Sequence, residues 1–149
     1  MKKLSVLFAI LSVFFIAPVI SAPTYVGAEK CKICHKTEFE SWAQLKHAKA
    51  MEALKPEEQK DPKCLACHST GHGKTEAVLG GVQCEACHGP GSDYKSPAVM
   101  KDPAKAKAAG LIIPDKAACE GCHNAKSPTF KGFNYEEMKP KAMHAVKQK

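Results

Sequence analysis

Cys31-Lys32-Ile33-Cys34-His35 is the first of four copies of one five-residue pattern. The others are Cys64-Leu65-Ala66-Cys67-His68, Cys84-Glu85-Ala86-Cys87-His88 and Cys119-Glu120-Gly121-Cys122-His123. In Cys-x-x-Cys-His the two thiols are spaced to form thioethers with the vinyl groups of a haem, and the imidazole that follows lies where it can bind the iron. The eight cysteines of the chain are used up by the four copies, and four of its seven histidines close them. One such match would leave redox thiols or a zinc knuckle as open readings. Four matches with no cysteine left over put zinc pairs and a disulfide framework behind four covalently attached c-type haems, with His35, His68, His88 and His123 as proximal iron ligands.

Working outward, the chain opens on Met1-Lys2-Lys3 and an apolar run from Leu4 to Ile16, broken by Pro18 and followed by Ser21 and Ala22. This is the pattern of a secretory signal, with cleavage expected after Ser21. A retained anchor is the rival reading, but the run is short for a span of about 20 residues. Residues 1–21 are therefore expected to be a signal peptide and residues 22–149 one tetrahaem domain in the periplasm, a compartment that tolerates eight cysteines. The remaining 128 residues leave 32 for each motif, too few for an ordinary core as well as four porphyrins. The cofactors must supply most of the buried apolar surface. Without Lys2 and Lys3 there are 20 basic residues against 15 acidic, a net +5. Four ferric haems with ionised propionates, each about −1, bring the sum near +1. The lysines are thus expected to neutralise propionates and steer a redox partner, not to bind nucleic acid.

The pattern from Thr37 to Leu54 is helical, with Ala43, His47, Ala50, Met51 and Leu54 on one face and Pro56 as its stop. Ser69 to Gln83, with four glycines, is expected to be a loop holding at most a short extended piece at Ala77-Val78-Leu79. The second and third motifs, whose first cysteines are 20 residues apart, are expected to be neighbours. Gly89-Pro90-Gly91 is a tight turn. Lys95 to Gly110 predicts one or two short solvated helices acting as a spacer. Leu111-Ile112-Ile113-Pro114 is a small apolar plug, and Asp115 is placed to cap the next helix. Asn134 to Lys149 predicts a last helix kinked or shortened by Pro140. The fold class expected is mainly α: short helices and long loops wrapped around four haems, with little or no sheet.

The second axial ligand decides what such a haem can do. Histidine closes a low-potential carrier, methionine raises the potential, and an empty position can bind a small molecule. Only His47, His72 and His144 remain, and three histidines cannot close four irons. His47 and His144 are the stronger distal candidates. His72, in a glycine-rich loop, is either a ligand, a solvent-exposed residue or a propionate hydrogen-bond donor. Met51, Met100, Met138 and Met143 could ligate, although methionine at helical spacing is more often packing, and Tyr94 is a weak oxygen-ligand candidate.

Several stretches together resemble the tetrahaem cytochrome c-554 family, which serves hydroxylamine oxidoreductase in ammonia oxidisers. They are Cys31 to His35 with Ser41-Trp42, His47-Ala48-Lys49-Ala50-Met51, Cys64 to Gly71, Gly81 to Gly91, and Ala142-Met143-His144. The resemblance implies three bis-histidine haems and one open, high-spin haem in closely stacked pairs. Position by position it implies that His47 caps the third haem, that His144 caps the fourth, and that the haem held by His68 is open. One departure matters: the family has a histidine soon after the Gly-Pro-Gly turn to cap the first haem, whereas here Asp93, Tyr94 and Lys95 follow. His72 also stands where an apolar aromatic is usual. Either His72 has taken over a capping role, or two haems lack a histidine cap.

The expected function is single-electron transfer between periplasmic redox partner proteins, with a multihaem oxidoreductase as one donor, no nucleic acid and no membrane span once the signal is removed. Two alternatives stand beside it. One is a haem enzyme acting on nitric oxide, nitrite or hydroxylamine at the open iron, for which Tyr94, His72 and Lys74 are the nominees as proton donor. The other is a self-associating filament subunit, with a histidine from a second copy filling the vacant position.

Overall fold

The computed structural model of the chain describes residues 21–146. The expected signal segment, apart from Ser21, lies outside the described residues. The elements are short: α1 (Ala28–Lys32), α2 (Lys36–Trp42), 3-10 turns at Ala50–Ala53 and Glu58–Lys60, α3 (Pro62–His68), β1 (Ser69–Thr70), β2 (Leu79–Gly80), α4 (Cys84–His88), α5 (Pro97–Met100), α6 (Pro103–Ala108), α7 (Lys116–Glu120) and α8 (Tyr135–Ala142). The fold is mostly helical, as the sequence leads one to expect. Its sheet is a two-residue antiparallel ribbon, Ser69 opposite Gly80 and Thr70 opposite Leu79.

Helices this short are marginal in water on their own, and local chemistry sets their ends. Asp61, Asp102 and Asp115 each cap the helix that follows, accepting from the Lys63, Ala104 and Ala118 amides respectively, and proline opens α3, α5 and α6. The Asp115 cap and the two helices between Lys95 and Gly110 agree with the sequence reading. Two other expectations do not hold. The helix over Thr37–Leu54 is not continuous, because tertiary partners take carbonyls that an α-helix would need: the His47 carbonyl accepts from the Val82 amide (2.8 Å) and the Ala50 carbonyl from His68 Nδ1 (2.6 Å). The apolar plug is not packed away either, since Ile112 and Ile113 are 50% and 63% exposed.

Among the described residues, buried hydrophobic side chains amount to Ala28, Leu65, Tyr94 and Ala106. A soluble domain of this size normally hides far more. Tyr94 lies beneath the Gly-Pro-Gly turn, and its hydroxyl donates to the carbonyls of His88 and Gly89. Beside it the fully buried Glu85 accepts from three backbone amides: Val26 (2.8 Å), Gly27 (2.7 Å) and Gly91 (2.6 Å). This one carboxylate ties the N-terminal arm, the third motif and the turn together. Gly91 must be glycine here, because a Cβ would stand 2.9 Å from Glu85 Oε1 and 3.2 Å from Val26.

Candidate haem-binding sites

Each motif sits on or at the end of a helix. The second lies wholly within α3 and the third is α4, while the first and fourth begin at the ends of α1 and α7 and finish in the turns beyond. On helical turns, positions i and i+3 share a face, so the two cysteines of each motif point the same way with the histidine beside them. All eight cysteines are free thiols. Among the described residues no three or more of His, Cys, Asp and Glu gather as a naked metal ion would require. Burial pushes the Cys87 thiol up, and burial followed by the neighbouring Cys67 pushes Cys122 up to about 12. Cys31 is raised mainly by its hydrogen bond with Cys84, which moves the other way as the partner in that bond.

These thiol contacts also show which motifs meet. The Cys31 and Cys84 thiols lie close enough to shift one another, which brings the first motif to the third; Cys67 and Cys122 do the same for the second and fourth, and Cys87 and Cys119 for the third and fourth. The neighbours expected from spacing, the second and third motifs, are instead linked through the β1–β2 ribbon, with each turned toward a different partner.

The histidines are held for a task. His68 Nδ1 is hydrogen-bonded to the Ala50 carbonyl and His88 Nδ1 to the Ile112 carbonyl (2.9 Å), which leaves Nε2 of each ring free. Holding one ring nitrogen in this way is how proteins orient an imidazole that binds a metal through the other. His123 stacks on Phe133 at 4.9 Å, and His35 Nδ1 lies 3.9 Å from Glu38.

His47 faces His123 with ring centroids 6.1 Å apart, and His144 faces His88 at 6.0 Å. An iron bound to two imidazoles lies about 2 Å from each nitrogen and hence about 3 Å from each ring centre, so facing rings about 6 Å apart suit an atom between them. Burial and then the neighbouring His123 hold His47 below the usual imidazole range, and burial does the same for His88. Both are thereby kept neutral, the form that binds a metal. The residues therefore fit haem iron. The pairing reverses the one implied by resemblance: His47 stands opposite the fourth motif and His144 opposite the third. The reason is tertiary. Val82 and Trp42 pin the His47 segment, with Trp42 Nε1 donating to the Val82 carbonyl, and Ser41 Oγ accepts from the Ala145 amide at 2.7 Å, drawing the tail back over α2.

The other candidates are not brought to a partner ring. Among the described residues no ring pair joins His72 to a motif histidine. Tyr94 has its hydroxyl committed to two carbonyls and is not free as an oxygen ligand. Met138 and Met143 are exposed, Met51 packs on Gly80, and Met100 lines a cavity beside the first motif. Sequence reasoning missed Glu85, although its place between two haem-type cysteines was a signal, and it missed Ser41 as a tether for the C-terminal tail.

Repeated haem-attachment motifs set between oriented imidazoles define a c-type cytochrome with covalently bound haem. Residues 30–89 match the family model for cytochrome c554 and c-prime. Cytochrome c-554 of Nitrosomonas europaea is 36% identical over 95 residues, 48% of this chain and 40% of that protein, so the match spans less than half of the relative's length. The solved structure of reduced cytochrome c554 from Nitrosomonas europaea superposes with a TM-score of 0.66 at 27% identity, covering 83% of this chain and 86% of the other. The chain is similar to the cytochrome c554 family in the matched residues and in its fold. Among the described residues no helix is long and apolar enough to cross a membrane.

Proposed function

We infer that the protein is a periplasmic tetrahaem cytochrome that passes single electrons between redox partner proteins. The observation that carries this reading is the pair of facing imidazoles, His47 with His123 and His144 with His88, set on attachment motifs that meet in the order first, third, fourth, second. Cys31 and Cys34, Cys64 and Cys67, Cys84 and Cys87, and Cys119 and Cys122 would hold the four haems, with His35, His68, His88 and His123 on their proximal sides. Bound haem supplies reversible one-electron chemistry at iron. The chain's own residues orient the ligands, keep His47 and His88 neutral and set the spacing of the attachment points. Export directed by residues 1–21 accounts for the location. An oxidoreductase donor and an acceptor protein, met through the lysine-rich surface, complete the function.

The test is a haem count on protein purified from the periplasmic fraction, with electron paramagnetic resonance of the oxidised form. Four haems per chain and at least two low-spin centres unaffected by nitric oxide are expected. Fewer than four haems, or rapid turnover of nitrite or hydroxylamine at a high-spin centre, would refute the carrier reading.

A further inference from the structure

The first motif has no facing histidine among the described residues. His47 and His144 are directed at the fourth and third motifs, and no histidine occurs between His88 and His123. A cavity of about 210 Å³ lies beside this motif instead. Its lining includes Cys31, Cys34 and His35 of the motif together with Tyr94, Met100 and three lysines. Resting on the reading that Cys31, Cys34 and His35 hold a haem, we propose that the Met100 thioether is the second axial ligand of that haem.

The other donors that line the cavity can be compared one by one. Tyr94 lines the cavity, but its hydroxyl is engaged with the His88 and Gly89 carbonyls at 3.1 and 2.6 Å. The ammonium groups of Lys30, Lys95 and Lys101 are donors with no lone pair to give. Met100 is neutral at every pH, and thioether sulfur is an established partner of haem iron. Its backbone is fixed while its side chain is free to reach. Pro97 opens α5, the Met100 amide bonds the Ser96 carbonyl at 2.9 Å, and Asp102 two residues on caps α6. The unbranched side chain turns about three bonds and lines the same cavity as His35. The segment that sequence patterning makes a spacer thus supplies a ligand. Methionine in place of histidine raises the reduction potential of the centre it binds, so the first motif would hold the highest-potential centre of the set.

The experiment uses the purified holoprotein and four variants. Oxidised native protein should show the long-wavelength charge-transfer absorption band of a ferric histidine–methionine haem. Met100→Ala should abolish the band and raise the high-spin signal. Met100→His should also abolish it while keeping that haem low-spin, with its equilibrium constant for reduction at least tenfold lower, a shift of about 59 mV for one electron. Met138→Ala, on the exposed α8, should leave the band intact. A native spectrum without the band, or a band that survives Met100→Ala, overturns the assignment. Haem counting on a Cys31→Ala, Cys34→Ala double variant separates the two levels. If it carries as many haems as the native chain, the haem-binding reading of the first motif fails; if it carries one fewer and the native protein lacks the band, only the Met100 ligand is refuted.

Discussion

Glu85 and Glu120 occupy the same position in two copies of one motif, yet the protein treats them differently. Glu120 lies at the surface and pairs with Lys116 at 3.2 Å. Glu85 is 1% exposed and receives three backbone amides from two distant segments. A buried acceptor of this kind is costly to remove, because its donors stay behind without partners. Glu85→Gln should lower the stability of the holoprotein by about 1–3 kcal/mol, read by chemical denaturation, and Glu85→Ala by more. Glu120→Gln should change it by less than about 0.5 kcal/mol, as exposed ion pairs do. The axial ligands are tested at the same scale. His47→Ala and His144→Ala should each turn one low-spin centre high-spin in electron paramagnetic resonance. In a Cys119→Ala, Cys122→Ala background lacking the fourth haem, His47→Ala should add no further high-spin signal while His144→Ala still does. The opposite result would restore the pairing that resemblance implies.

The elements are joined less by packing of one on another than by single hydrogen bonds from side chains to backbone. Gly81, with φ of 83°, lets the strand after β2 pass under the His47 segment, where a Cβ would stand 2.5 Å from the Ala48 carbonyl. That close approach brings Val82 into reach of the His47 carbonyl and sets the ring toward His123. At the other end of the chain, Ser41 on α2 accepts from Ala145 and so places His144. Ser41→Ala should cost about 1 kcal/mol and appear as a high-spin fraction that grows on warming, with His144→Ala as the limiting spectrum. Removing the α7 cap with Asp115→Ala should cost about 1 kcal/mol of stability in the same denaturation assay, without altering the spin state. The α-helical class of these elements was legible in the proline and aspartate punctuation. The break in the Thr37–Leu54 pattern was not, because its cause lies in residues 68 and 82, outside the window that periodicity reads.

For the molecule as a whole, four buried hydrophobic side chains among the described residues cannot offset the entropy of ordering more than a hundred. The chain expressed without haem attachment should therefore lack the far-ultraviolet circular dichroism of the holoprotein and show no cooperative thermal transition; a haem-free form that unfolds cooperatively would contradict this. The exposed Ile33, Ile112 and Ile113 beside the motifs are the surfaces expected to lose solvent when haem is attached. From the sequence alone came the haem-attachment chemistry, the mainly helical class, the scarcity of protein core and the mismatch between three spare histidines and four attachment motifs, since each depends only on which residues occur and at what spacing. Tertiary structure decided which motif meets which, that His47 lies by His123 and His144 by His88, that Glu85 and not Glu120 is the internal anchor, and that Met100 lines a cavity with the first motif. Those outcomes depend on contacts between residues up to 104 positions apart, as from Ser41 to Ala145, and local patterning carries no record of such contacts.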